Sequence, residues 1–155
     1  MAVVNDNYIF IYCEWLNDDL MKKYYPDAVK VTTGIAEDRA VRFVSYTDDS
    51  GKEYEGGCCA VKAPGELLYG VVWKLNSENL LNLDKLVSVG EGRYTRLYLA
   101  VKGDDGRAYA CVSHSIKTPK DLHSHPSKAY LENMLSGAQK NNFPAEYIKK
   151  LEALA

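Results

Sequence analysis

One apolar run, LLYGVVWKL at residues 67–75, constrains the fold more than any other part of the sequence. An apolar run without alternation predicts a strand that is covered on both faces, and such a strand lies inside a sheet. Pro64 and Gly65 precede the run and predict a turn that joins it to an earlier strand beginning at Cys58. The sequence therefore predicts a sheet built around residues 67–75.

Three further segments predict additional strands. A short apolar run occupies Tyr8–Tyr12, and apolar and polar residues alternate around Ala40–Tyr46. Residues 94–116 have the pattern of a hairpin, because both arms alternate and Asp105-Gly106 supplies the turn. These segments, together with residues 67–75, make the chain rich in strands.

Helices are predicted between and after the strands. Asn17 or Asp18 as N-cap predicts a short helix, and Ser77 as N-cap predicts an amphipathic helix with four leucines. The tail predicts two helices separated at residues 142–144. Because no repeat or low-complexity linker divides the chain, we expect one α+β domain over residues 1–155.

The charge and the first residues of the chain limit its partners. Nineteen basic and 21 acidic residues give a net charge of −2. The basic residues are scattered without forming a run, so we do not expect a nucleic-acid polymer as partner. The first residues contain no basic region and no apolar stretch typical of a signal sequence or membrane span, so we expect a cytoplasmic location and no membrane contact. The expected partner is a small molecule, no cofactor is predicted, and a homo-oligomer is left open.

The four cysteines are predicted to be reduced. Cys13, Cys58, Cys59 and Cys111 form no CxxC pair, and a chain of this length does not need a disulfide for stability. Neighbouring side chains of a strand point to opposite faces, so we do not expect Cys58 and Cys59 to share a zinc ion.

Three histidines, His114, His123 and His125, lie within 12 residues of one another. Two imidazoles at HxH spacing can point to one metal ion from a strand, but the last two histidines belong to a polar loop bounded by prolines. No further ligand follows a recognisable pattern nearby. The sequence therefore predicts no metal site.

Six motifs share their order and separations with one enzyme family. They are the first strand with its loop, EGGCCAV, PGELLYGVVWKLN, NLDKLVSVGEGRY, HPSKAY and GAQKNNFPAEYIKKLEAL. From about Tyr8 to Leu154 the chain resembles the gamma-glutamylcyclotransferase (AIG2-like) family, whose enzymes convert γ-glutamyl amines into 5-oxoproline and a free amine. The resemblance implies a small mixed barrel-like sheet with surrounding helices and a pocket at one end.

The loop after the first strand departs from the family pattern. The family usually has tyrosine, glycine, serine, asparagine and leucine there, and backbone N–H groups of this loop hold an anionic group of the substrate. This chain has Tyr12, Cys13, Glu14, Trp15 and Leu16. Cys13 adds a Cβ where glycine permits close approach, and Glu14 adds negative charge, so we expect the loop to disfavour a carboxylate.

The position of the family's catalytic glutamate is also altered. The resemblance places that residue three positions after Asp84, where this chain has Val87. Valine cannot transfer a proton, and loss of a general acid/base typically costs on the order of 10²–10⁴-fold in rate. Ordinary cyclotransferase activity is therefore predicted to be absent or very weak. Tyr130 matches a tyrosine that lines the family's substrate pocket.

Three functional hypotheses follow. The preferred one is a pseudoenzyme that binds a nucleotide-like or amino-acid-derived ligand, with Trp15 stacking on a planar group and Glu14 accepting hydrogen bonds. The predicted ligand-binding residues are Tyr12, Cys13, Glu14, Trp15, Leu16, Val87 and Tyr130. The alternative is an enzyme whose acid/base has moved to Glu14, Glu91 or His114. The third hypothesis is an interaction protein that uses only its surface.

Overall fold

The computed structural model of the protein describes residues 6–155. The strands are β1 (Asp6–Ile11), β2 (Val29–Thr47), β3 (Glu53–Asn76), β4 (Tyr94–Gly103), β5 (Ala108–Ile116) and β6 (Pro119–Asp121). The helices are α1 (Asp18–Tyr24), α2 (Ser77–Leu86), α3 (Lys128–Lys140) and α4 (Ala145–Glu152), and a short 3-10 helix occupies Glu14–Leu16.

Five strands close into a barrel. Their order is β3-β1-β5-β4-β2, and β2 pairs with β3 again, while β6 extends the sheet beyond β2. The β1–β5 pair is parallel and the other pairs are antiparallel, so the sheet is mixed. Closure leaves the five barrel strands with a partner on each side. The predicted fold class, an α+β chain with a small mixed barrel-like sheet and surrounding helices, is confirmed.

The apolar run at residues 67–75 lies within β3, between β1 and β2. Its central residues, Val71, Val72 and Trp73, are completely buried, because β1 and β2 flank the strand and the core covers it. The prediction of a central, covered strand is confirmed.

The predicted turn at Pro64-Gly65 is wrong. β3 continues through it, because residues on both sides pair with the same neighbour: Lys62 with Arg39 and Leu67 with Glu37. The extra residues form an irregular bulge opposite β2, in which Gly65 has a φ of +83°. A bulge bends a strand without reversing it, so one long strand replaces the two that the sequence predicts.

The helix ends agree closely with the sequence. Asn17 is the N-cap of α1, because its side chain accepts a hydrogen bond from the Asp19 N–H at 3.2 Å. The N-cap of α2 is Asn76, one residue before the predicted Ser77, since the Asn76 side chain accepts from the Asn79 N–H at 2.7 Å. The break between α3 and α4 falls where it is predicted. Among residues 6–155, no helix has the length and apolar character needed to span a membrane.

Helix α3 holds the 3-10 helix in place through a glycine. A Cβ at Gly137 would overlap the backbone of Leu16 and Asn17, so only glycine permits this approach. Two polar contacts strengthen the junction: Asn141 Nδ2 donates to the Leu16 carbonyl at 3.2 Å, and Asn17 Nδ2 donates to Asn133 Oδ1 at 3.1 Å. The position of the loop after β1 therefore depends on α3.

Replacing Gly137 with alanine is expected to lower the free energy of unfolding by about 1–3 kcal/mol, because the new methyl group forces the 3-10 helix away from α3. In an unconstrained helix the same change would be stabilising, since alanine has the higher helix propensity. Urea unfolding followed by circular dichroism measures the effect. Gly90→Ala is the matched control, because a Cβ at Gly90 meets no atom within 4 Å. A Gly137→Ala variant with the same free energy of unfolding as the parent would contradict the close contact between α3 and the 3-10 helix.

Candidate functional site

A cavity of about 450 Å³ opens beside the carboxyl end of β1. Its walls come from β1 and the following loop, the last residue of α1, the carboxyl end of α2, the start of β4, and residues of β3, β5 and α3. Much of this lining is apolar or aromatic, including Phe10, Ile11, Leu83, Leu86 and Tyr94. Volume and lining are typical of a site for a small organic molecule.

Most of the residues singled out in the sequence meet at this cavity. Those that line it are Tyr12, Cys13, Glu14, Trp15, Val87, His114 and Tyr130. The loop contributes four of these residues, because β1 ends at the rim of the cavity. Val87 lines the cavity from the end of α2, where it is the C-cap residue. The structure thus brings together residues that lie more than 100 positions apart.

Two predicted residues lie elsewhere. Leu16 is fully buried in the hydrophobic core and does not line the cavity, because the 3-10 helix turns its side chain beneath α3. Its assignment to the ligand site is wrong. Glu91 is exposed outside the cavity, in the turn before β4, and its carbonyl accepts a hydrogen bond from the Asp49 N–H at 3.0 Å. Glu91 is therefore not placed to act as a relocated acid/base.

Cys13 and Cys58 form a disulfide that connects the loop to β3. The prediction that all cysteines are reduced is wrong for this pair, because the fold brings together two residues that are 45 positions apart in the chain. Cys59 and Cys111 are free and buried. Cys58 belongs to the main core and Cys59 to a separate cluster with Val44, which confirms that these neighbours point to opposite faces.

Glu14 presents a carboxyl group to the cavity. The side chain is half-buried, and its Oε2 accepts a long hydrogen bond of 3.5 Å from Asn133 Nδ2. Burial raises the pKa of Glu14 above its ordinary value, and the hydrogen bond with Asn133 offsets only part of this increase. An acidic group with a raised pKa can exchange protons with a ligand more readily than an exposed glutamate.

Trp15 lies at the rim of the cavity and is half-buried. Its ring is stacked on Tyr24, with 5.0 Å between the ring centroids and 7° between the planes, and Tyr24 also lines the cavity. Tyr25 lies at 5.9 Å with a tilted ring. One face of the indole is therefore covered by Tyr24, and the pair acts as a single aromatic wall.

His114 lines the cavity and is held from behind by Asp84. Its Nε2 lies 2.7 Å from Asp84 Oδ1, and Arg96 binds the same carboxylate through Nη2 at 2.6 Å and Nε at 3.1 Å. Burial lowers the pKa of His114 more than Asp84 raises it, so the imidazole is neutral near pH 7. Asp84 accepts hydrogen bonds only, which places the imidazole hydrogen on Nε2 and leaves Nδ1 as an acceptor.

The sequence does not reveal the roles of Asp84 and Arg96. Burial would raise the pKa of Asp84, but hydrogen bonds from Arg96 and His114 outweigh it and the pKa is lowered. These partners lie 12 and 30 residues further along the chain. The pairing of β4 with β5 sets Arg96 opposite His114, a register that the hairpin pattern alone could have indicated.

Arg93 is a further cavity residue that the sequence does not single out. Its Nη2 and Nε donate to the Tyr46 hydroxyl at 2.7 and 3.1 Å, and its guanidinium lies 4.2 Å from the ring centroid of Tyr54. Arginines beside glycine-rich turns are usually solvated, so only the fold shows that this one faces a cavity.

The histidines do not form a metal site together. His123 and His125 are exposed in the segment before α3, whereas His114 belongs to the cavity wall. Within residues 6–155, no group of three or more histidine, cysteine, aspartate or glutamate side chains is arranged to hold a metal ion.

The closed barrel, the four helices and the cavity at the loop after β1 define a protein with the gamma-glutamylcyclotransferase fold. The chain belongs to the AIG2-like family, whose profile matches residues 67–151. Gamma-glutamylcyclotransferase from Bos taurus is 28% identical over 153 residues, which cover 96% of this chain and 80% of that protein. The Homo sapiens protein of the same name is 27% identical over 153 residues, which again cover 96% of this chain and 80% of that protein.

The solved structures agree with this assignment. A structure titled gamma-glutamyl cyclotransferase superposes with a TM-score of 0.85 and 27% sequence identity, covering 97% of this chain and 88% of that chain. The likeness therefore extends over nearly the whole molecule, including the part before residue 67.

Opening the disulfide is expected to lower the free energy of unfolding by about 2–4 kcal/mol, because the bond closes a loop of 45 residues in the unfolded chain. Urea unfolding with and without dithiothreitol measures the loss. In Cys13→Ser the reductant should have no effect, which makes this variant the matched control. A parent protein whose unfolding midpoint does not respond to the reductant would contradict the disulfide.

Proposed function

We propose that the protein binds a small molecule in the cavity without the ordinary cyclisation of γ-glutamyl amines. The observation that carries this proposal is the combination of a 450 Å³ cavity with a valine side chain in its wall at position 87. The resemblance to the family places the catalytic glutamate there. The cavity keeps the size of a ligand site, whereas the group that would move the proton is aliphatic.

The loop after β1 also supports a changed ligand. Its second residue, Cys13, is bonded to Cys58, so the backbone there is held against β3 and a side chain replaces the family's glycine. Its third residue, Glu14, presents a carboxyl group to the same space. When ionised, this group repels an anion at the loop, and charges that are partly shielded from water repel more strongly than exposed ones.

The residues that line the cavity indicate which chemical groups the ligand carries. The stacked pair Trp15 and Tyr24 and the rings of Tyr94 and Tyr130 suit a flat or apolar body. Glu14 suits an N–H or O–H donor group, because an ionised carboxylate only accepts hydrogen bonds. A nucleotide-like or amino-acid-derived ligand combines both properties.

Binding is expected to depend on Trp15. The chain has two tryptophans, and since Trp73 is completely buried, a change in intrinsic fluorescence on addition of amino acids, peptides or nucleotides reports on Trp15. For a ligand found in this screen, calorimetry should show that Trp15→Ala weakens binding by about ten- to a hundredfold, the usual value of one aromatic stack. Trp15→Phe should retain part of the affinity.

Tyr98→Ala is the matched control for that experiment, because Tyr98 is an aromatic residue that is 69% exposed and lies outside the cavity. The Tyr98→Ala variant should bind the ligand with the same affinity as the parent protein. A folded Trp15→Ala variant that binds as tightly as the parent would contradict the role of the aromatic wall.

The second candidate function is an enzyme with a relocated acid/base. Two observations favour it: Glu14 and His114 both line the cavity, and the relatives carry the name of an enzyme. Glu14 is the stronger of the two, because burial raises its pKa towards the range of a general acid/base. His114 is engaged by Asp84 and is the weaker one.

Incubation with γ-glutamyl-L-alanine separates the two functions. We expect no 5-oxoproline above the uncatalysed rate, because Val87 cannot transfer a proton. Turnover that is lost in Glu14→Gln but kept in Glu152→Gln would overturn the proposal in favour of the second function. Glu152 is a suitable control because it is exposed at the end of α4, away from the cavity.

The cytoplasmic location stays a proposal. Disulfides persist mainly in oxidising compartments, so the Cys13–Cys58 bond does not favour this location.

A further inference from the structure

Arg93 is the only lysine or arginine among the cavity-lining residues of the described chain. It precedes β4, and its backbone is fixed on both sides: its N–H donates to the Ser88 carbonyl at 3.1 Å, and its carbonyl accepts from the Lys117 N–H at 3.1 Å. The Tyr46 hydroxyl and the Tyr54 ring hold the guanidinium. Arg93 thus lines the cavity, and its guanidinium is held in one position between the cavity and the neighbouring cluster of Tyr46 and Tyr54.

The contacts of Arg93 leave part of its guanidinium unused. An arginine has five N–H donors, and the Tyr46 hydroxyl takes one from Nε and one from Nη2. The remaining donors are both hydrogens of Nη1 and the second hydrogen of Nη2. One hydrogen from each of these nitrogens forms the fork that matches the two oxygens of a carboxylate.

The charge of Arg93 is also unmatched. No carboxylate of residues 6–155 lies within ion-pair distance of it, and the groups that contact it are the aromatic residues Tyr46 and Tyr54. Arg96, in contrast, is paired with Asp84 and does not line the cavity. A half-buried cation without a carboxylate partner is a favourable place for the anionic group of a ligand.

We propose that Arg93 binds a carboxylate group of the ligand, so that the anion-binding position of this cavity lies at the start of β4 and not in the loop after β1. The inference rests on the proposed binding function. It explains how the cavity accepts an anion although Glu14 occupies the loop: the two charged residues come from different elements and bind different parts of one molecule. The ligand class is an apolar or aromatic carboxylate that also has an N–H group.

A carboxylate fits this arrangement better than a phosphate. The free fork of Arg93 offers two parallel donors, which a carboxylate accepts with both oxygens. A phosphate monoester carries up to two negative charges near pH 7, and the second charge would be opposed by Glu14 in the same cavity.

The test compares two probes that differ only in their terminal group, N-acetyl-L-phenylalanine with a carboxylate and its primary amide with an uncharged CONH2 group. Calorimetry on the parent should show the acid binding about ten- to a hundredfold more tightly than the amide, the usual contribution of a charge-assisted hydrogen-bonded pair. In Arg93→Gln this preference should disappear while the amide binds as before. Arg93→Lys should retain part of the preference, because it keeps the charge but loses the fork.

Arg42→Gln is the matched control, because Arg42 is half-buried but lies outside the cavity and pairs with Glu66. It should keep the full acid preference. Equal binding of acid and amide to the parent, or a preference that survives in Arg93→Gln, would overturn the role of Arg93 and leave the binding function standing. If neither probe binds at about 10 mM, the proposed ligand class is wrong. The fluorescence screen would then be the remaining test of the binding function.

Discussion

The cavity depends on how the three-residue helix Glu14–Leu16 is held. On one side, Gly137 of α3 lets the helix backbone approach closely, and Asn141 binds the Leu16 carbonyl. On the other side, the disulfide connects Cys13 to β3. A loop of this length has too few internal hydrogen bonds to keep one conformation alone. These two attachments therefore decide where Glu14 and Trp15 lie.

The scaffold fixes where the cavity lies, whereas the residues on its inner surface decide which ligand fits there. The barrel and the helices match a structure titled gamma-glutamyl cyclotransferase over nearly the whole chain, and a cavity opens at the loop after β1. By the resemblance, the positions that depart from the family pattern are Cys13, Glu14, Trp15 and Val87. All four line the cavity, so each decides what its wall presents to a ligand. In the described chain, the wall carries one acidic residue, Glu14 at the loop, and one basic residue, Arg93 before β4, and these are the two residues to which we assign the polar groups of the ligand.

Much of the fold could be predicted from local patterns. The apolar run in β3, the hairpin of β4 and β5, and the break between α3 and α4 each follow from a few neighbouring residues. The bulge at Gly65 could not be distinguished from a turn, because both use the same residue types. The choice between Asn76 and Ser77 as N-cap depends on a side-chain hydrogen bond, and both residue types can make one.

The cavity required more than local patterns. The motif after β1 correctly indicated where it opens, but Leu16 faces the core because α3 covers the 3-10 helix, a contact made by residues 121 positions away in the chain. The disulfide and the Asp84–His114 pair also join distant residues. Arg93 carries no signal in the sequence, since its orientation is set by Tyr46 and Tyr54 from the β2–β3 pair.

Native mass spectrometry of the protein purified from its own cells under non-denaturing conditions tests most directly whether the cavity holds a small molecule that the protein does not convert. We predict a one-to-one complex with a small molecule whose mass stays unchanged during incubation. A bare chain that releases 5-oxoproline from γ-glutamyl amino acids would contradict the account.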